Sequence, residues 1–272
     1  MLDLSGNQLC SIPSSVGKLS DLRVLDLSKN SLTSVPPELG SLTRLTKLSL
    51  SDNYLDALPE TFGKLSSLTA LYLSENCFQE VPECISALEL RYLDLSKNWI
   101  SEIYGLSQVK ELLLGDNPLR FIDVNNGALQ NLTVLDLSRM PEDHPITAPY
   151  DKRRVRNQCA FEFPETLCFL PSLTVLDLSS LGLTEIPFSI RNLTKLKKLI
   201  LSKNKLTRLT PAIAHLAELR GLDLSGNRLT ELPQSFQNRR SGPVATIIWD
   251  ERDLARLMPT AYEFSETGRT HL

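Results

Sequence analysis

Leucines and polar residues alternate along this chain in a fixed rhythm. The string L-x-x-L-x-L-x-x-N-x-L fits residues 22–32, 45–55, 68–78, 90–100, 109–119, 196–206 and 219–229. A partial copy opens the chain at 2–9, and two copies lacking the asparagine lie at 132–142 and 173–183. The ninth letter falls at 7, 30, 53, 76, 98, 117, 140, 181, 204 and 227, and eight of these ten sites are Asn. Most steps are 23 residues, which is the length of one supersecondary unit in a repeat array.

Each letter has a physical reason. In L-x-L the leucines alternate, so the segment predicts a short strand with one buried face. The chain then turns away from the sheet. Asn suits that turn because its amide bonds the backbone of neighbouring coils and leaves no buried amide unpaired, which predicts an asparagine ladder. After each strand comes L-x-x-[IVL]-P, as in 32–42 and 55–65. Proline suits the start of a short helical segment, and the leucines after it pack inward. One coil cannot bury its own core, but stacked coils can.

The rhythm breaks in three places. The step from 140 to 181 is 41 residues, which places an insert within 141–163. The insert carries Pro141, Pro145, Pro149 and a basic run of Lys152, Arg153, Arg154 and Arg156. It reads either as a solvated loop or as a loop that contacts a partner. The step into Asn117 is only 19, so the outer segment after Asn98 is short and lacks its proline. Beyond Pro233 the pattern decays. The organisation expected is a solenoid over 1–238, a cap-like strand (244–250) and helix (250–258) within 239–258, and a disordered tail over 259–272. The first copy starts inside its strand at Met1, without a polar cap. This predicts a longer parent chain, a misplaced start, or an end that docks on another surface.

The repeat resembles the leucine-rich repeat superfamily over roughly residues 1–236. The 23-residue form, with LDLSxN in the strand and L-P after the loop, is similar to intracellular members. Examples are the plant Ras-group-related leucine-rich repeat proteins and the animal Ras–phosphatase scaffolds. The resemblance implies an α/β leucine-rich repeat solenoid: curved, with parallel strands on the concave face and short helical or irregular segments on the convex face. It also implies a protein partner bound on the concave face, with a small GTPase or a phosphatase as the class suggested by these relatives.

Composition narrows the chemistry. The formal charge is −3, so general electrostatic binding to nucleic acid is not expected. No apolar run approaches the ~18 residues of a membrane helix. The first ten residues lack the basic start and apolar core of a signal peptide. His144, His215 and His271 lie far apart and share no ligand spacing. Five cysteines, at 10, 77, 84, 159 and 168, form no C-x-x-C pair, which reads as free thiols in a reducing, cytoplasmic compartment. The sequons at Asn131 and Asn192 sit at equivalent repeat positions and follow from the repeat. No P-loop, H-E-x-x-H, nucleophile elbow or kinase signature is present. A non-catalytic module without cofactor or metal is therefore expected. The alternative is the recognition segment of a larger enzyme, such as a kinase, Roco-type GTPase, phosphatase or ubiquitin ligase.

The position inside L-x-L points outward. Its occupants are Asp3, Asp26, Ser49, Tyr72, Asp94, Leu113, Asp136, Asp177, Ile200 and Asp223. The aspartates read either as repeat consensus or as an acidic stripe for a basic partner. Tyr72 and Leu113 depart from Asp. Tyr92 lies two positions before Asp94 on the same face, and Trp99 and Tyr54 follow Asn at the rim. Aromatic side chains dominate interaction hot spots. The candidate partner-binding residues are therefore Tyr72, Tyr92, Trp99, Leu113 and Asp94. A second, basic patch is marked by Lys197, Lys198 and Lys203 near Ile200.

Overall fold

A computed structural model describes residues 1–119, 121–122, 129–139, 161, 163–231, 233, 246–248 and 269–271. The insert within 141–163, apart from residues 161 and 163, lies outside the described residues, as does the helix expected at 250–258. The chain divides into two compact units, and of the described residues those up to Leu132 form the first and those from Thr133 the second.

Unit 1 contains the strands β1 (Leu2–Asp3), β2 (Val24–Asp26), β3 (Lys47–Ser49), β4 (Ala70–Tyr72), β5 (Tyr92–Asp94), β6 (Glu102–Ile103), β7 (Glu111–Leu113) and β8 (Phe121–Ile122). Strands β1 to β5 and β7 pair side by side, all parallel and in register. Unit 2 contains β9 (Val134–Asp136), β10 (Val175–Asp177), β11 (Lys198–Ile200), β12 (Gly221–Asp223), β13 (Thr246–Ile248) and β14 (Arg269–His271). Its first five strands are parallel, and β14 runs antiparallel against β13. Strand β13 thus adds a rung beyond the last Asn-bearing copy, within the apolar run at 244–250.

Each rung is one coil of the repeat. The central leucine of the strand, such as Leu25, Leu48, Leu71 or Leu93, is fully buried, while its two neighbours face outward. On the opposite side of the coil the helical segments are single turns of 3-10 helix, and the described residues contain no α-helix. With three residues per turn, apolar side chains three apart fall on one inward face. Leu39 and Leu42, Phe62 and Leu65, Ile190 and Leu193, and Ile213 and Leu216 are all buried in this way. Proline stands immediately before six of these seven turns, at 13, 36, 59, 82, 164 and 187. There its fixed φ near −65° sets the entry angle.

Successive turns in unit 1 pack closely enough to exclude a side chain. A Cβ added at Gly40 would stand 2.3 Å from the Thr61 carbonyl oxygen, whereas one at Gly63 would stand 3.3 Å from that of Cys84.

The short step before Asn117 has a structural answer. Where other coils carry a 3-10 turn, this one carries the short strand β6, which pairs parallel with β8 in a second small sheet. The segment S-E-I-Y-G has no proline to start a helical turn, and an extended strand covers the outer side in fewer residues.

The asparagine ladder runs through both units. Asn53 Nδ2 donates to Leu27 O and Leu50 O, and its Oδ1 accepts from the Leu32 amide. Asn30, Asn76, Asn98, Asn117 and Asn227 repeat the pattern. Asn204 does so too, with its Oδ1 accepting from both Leu181 and Leu183. The residue before each Asn turns the chain inward through a left-handed backbone, with φ between 55° and 58° at Lys29, Asp52, Glu75, Lys97, Asp116 and Lys203. Glycine takes that position at Gly6 and Gly226.

Candidate functional site

The outward positions of the strands form rows, because parallel pairing in register puts equivalent residues side by side. In unit 1 one row reads Asp3, Asp26, Ser49, Tyr72, Asp94, Leu113. The row two residues earlier reads Val24, Lys47, Ala70, Tyr92, Glu111. Tyr72 and Tyr92 sit diagonally on β4 and β5, with ring centroids 4.8 Å apart and planes tilted by 35°. Lys47 reaches across from β3, and its Nζ lies 4.7 Å from the Tyr72 ring centroid. Cation, ring and ring form one diagonal stack. Such ring pairs contribute ~0.5–1.5 kcal/mol beyond area burial, and an exposed cation–π contact adds ~0.5–1 kcal/mol.

Four of the five sequence-selected residues share this face. Tyr72, Asp94 and Leu113 are cross-strand neighbours in one row, and Tyr92 lies beside Asp94 and opposite Glu111. All four are partly exposed. Trp99 lies elsewhere, in a rim row after the ladder asparagines with Ser31, Tyr54 and Cys77, where its amide donates to Phe78 O. Tyr54 is 62% exposed on that rim and does not fold over the core, while Trp99 is half-buried. Sequence reading passed over Lys47 and Glu111. The signal was available, since both occupy the same letter of the repeat as Tyr92.

The aspartates have an internal task. Asp26 Oδ1 accepts from the Ser28 amide at 2.9 Å and from its hydroxyl at 2.6 Å. Asp94 and Ser96, and Asp223 and Ser225, repeat both bonds. Asp3, Asp136 and Asp177 receive the amide bond. This Asp-x-Ser turn ends the strand and explains the recurring D-L-S, because the carboxylate satisfies the first amide beyond the sheet. The bond to Ser5 holds the Asp3 carboxyl below its usual range. Asp177 is pushed the other way, mainly by burial and further by Asp136 on the neighbouring strand.

Along the ladder edge, Lys97 Nζ bonds Glu75 Oε1 at 2.6 Å, joining two coils across the rim. Cys10, Cys77, Cys84 and Cys168 are free thiols. Burial pushes the Cys168 thiol up to about 11 and raises that of Cys84. Among the described residues no three His, Cys, Asp or Glu side chains converge on a metal-sized site, and no helix is long and apolar enough to cross a membrane.

Comparison with known proteins agrees with this architecture. The family model described as "Leucine rich repeat" matches residues 1–55, 43–100 and 171–229, together more than half of the chain. A search of curated sequences returned no match. Among solved structures, the leucine-rich repeat domain of APL1B superposes with a TM-score of 0.63 at 23% identity, covering 93% of this chain and 65% of that one. A chain of the Toll–Spatzle complex of Drosophila gives 0.69 at 22%, covering 88% of this chain and 31% of that one. A leucine-rich repeat protein of Leptospira interrogans is 26% identical over 95% of this chain and 82% of its own, with a TM-score of 0.47. For the APL1B and Toll–Spatzle chains the likeness is one of fold.

Proposed function

Because the chain belongs to the leucine-rich repeat family, whose domains are in general protein-interaction modules, we propose that it is a non-catalytic scaffold of intracellular signalling that binds a protein partner on the strand face of unit 1. The Lys47–Tyr72–Tyr92 stack carries this reading. Two tyrosines on an otherwise small and charged face offer rigid, partly exposed contact area at low entropic cost, which is the property of interaction anchors. Asp94 and Leu113 extend the contact along one row, and Trp99 adds an aromatic at the rim. The Asp-x-Ser bonds hold the carboxylates of the row in fixed positions, so their charge selects partners by sign and orientation.

The free thiols Cys10, Cys77, Cys84 and Cys168 support a cytoplasmic setting. A small GTPase or a phosphatase is the partner class suggested by the family resemblance.

The test is a quantitative affinity capture with the full chain, wild type against Tyr72→Ala/Tyr92→Ala and, separately, Trp99→Ala. Circular dichroism checks that each variant is folded. The reading expects one or more specific partners to be retained by wild type and lost with the tyrosine pair. Equal recovery by the folded double variant would remove the strand face of unit 1 as the binding site.

A further inference from the structure

Unit 2 carries a charged surface of the opposite sign. Nine Lys and Arg but only three Asp and Glu lie between residues 191 and 231, in a chain whose net charge is −3. The cations are placed by the repeat. Lys197 and Arg220 approach β11 and β12 side by side, with the Arg220 amide donating to Lys197 O at 2.8 Å. Lys198 stands opposite Gly221 in the sheet, its Cγ 3.5 Å from where a Cβ on the glycine would lie. On the rim, Lys205 and Arg228 follow Asn204 and Asn227, and Lys203 precedes Asn204.

All six are exposed. Lys197 makes a long contact with Glu218 at 3.9 Å, and none of the other five is held in a salt bridge among the described residues. Between the two cationic bands, Ile200 lies in register with Asp177 on one side and Asp223 on the other.

We propose that this face of unit 2 binds an acidic polypeptide segment that carries an apolar residue among its acids. The acids pair with Lys197, Lys198 and Arg220, and the apolar side chain lands on Ile200. Charge complementarity selects the sign of the partner and raises its encounter rate. The flanking aspartates select its class. A phosphate chain crossing the face would bring charge at every step against Asp177 and Asp223. A polypeptide carries charge only where a side chain supplies it, and alternate residues of an extended segment, ~6.6 Å apart, can place acids over one row and an apolar group over the next. The surface is separate from the tyrosine stack of unit 1, so the two proposals stand or fall independently.

The experiment is fluorescence polarisation on the full chain. The main probe is a short labelled peptide of Glu and Asp around a central Leu. The others are its Gln/Asn analogue, its Leu→Ala analogue and a short single-stranded DNA. The chain is compared with Lys198→Glu/Arg220→Glu, with Lys198→Ala/Arg220→Ala, and with Lys18→Glu/Lys64→Glu on the helical side of unit 1.

The acidic peptide is expected to bind, to weaken with added salt, and to lose about tenfold or more in affinity with the charge reversal. The alanine pair should lose less, the Leu→Ala peptide should bind more weakly, and the Lys18→Glu/Lys64→Glu variant should match wild type. Failure of the acidic peptide to bind would overturn the proposal. So would equal binding by the folded Lys198→Glu/Arg220→Glu variant, or DNA binding tighter than that of the peptide, which would reassign the face to nucleic acid.

Discussion

Replacing Asn76 by alanine tests the asparagine ladder at its centre in unit 1. Asn76 is 4% exposed. Its Nδ2 donates to Leu50 O at 2.9 Å and Leu73 O at 3.1 Å, and its Oδ1 accepts from the Leu55 amide at 3.0 Å. The two carbonyls are shared, since Leu50 O also receives Asn53 and Leu73 O also receives Asn98. After Asn76→Ala each carbonyl keeps one bond, at a net cost of ~0.5–1.5 kcal/mol apiece. The Leu55 amide loses its partner inside the coil, and a buried orphan of that kind costs ~1–3 kcal/mol. The total expected is ~2–6 kcal/mol.

Asn7 is the internal control. It is exposed, its Nδ2 reaches only Leu4 O and Ser5 O within its own coil, and Leu4 O keeps its bond from Asn30. Asn7→Ala should therefore cost no more than ~1 kcal/mol. Urea unfolding followed by circular dichroism measures both, and native-state hydrogen exchange at Leu55 reads the orphaned amide directly. A loss below ~1 kcal/mol at Asn76, a loss equal to that at Asn7, or unchanged protection at Leu55 would refute the ladder as a source of stability.

Three further outcomes are expected. Gly40→Ala should destabilise unit 1 by ~1–3 kcal/mol, because the new methyl meets the Thr61 carbonyl at 2.3 Å, while Gly63→Ala, whose methyl would stand 3.3 Å from the Cys84 carbonyl, should cost clearly less in the same unfolding assay. A maleimide at neutral pH should label exposed Cys10 rapidly and Cys168 only on unfolding, since Cys168 is both buried and held at about 11; mass spectrometry of the labelled peptides decides. Asp177 has a raised carboxyl, so the stability it contributes is fully present below its unfolded range and lost as pH rises through the folded value. Asp177→Asn keeps an acceptor for Ser179, so its urea midpoint should gain on wild type as pH rises from 3 to 7, and a constant difference across that range would contradict the assignment.

Much of this molecule was legible in one dimension. The L-x-L period set which strand residues are buried, because strand side chains alternate whatever surrounds them. The Asn spacing set the ladder, because a polar amide turned into a leucine core must find backbone partners. Tyr72, Asp94 and Leu113 were readable as one row from their shared letter, and Lys47 and Glu111 would have joined Tyr92 had that letter been read across every copy. Trp99 was readable as a rim residue from its place after Asn98, and it stands there in a row of its own with Ser31, Tyr54 and Cys77.

Other features needed the fold. The tight fit at Gly40, the strand β6 in place of a helical turn, and the Asp-x-Ser bonds that end each strand all depend on how one coil sits on the next or closes on itself. The aspartates read either as repeat consensus or as a stripe for a basic partner, and their bonds to serine amides give the consensus its physical reason. Period and polarity act within one repeat, so they suffice to define the coil. Which residues meet across coils depends on register between segments some 23 residues apart and on the few ångströms that separate a contact from a clash, and neither is written in a single repeat.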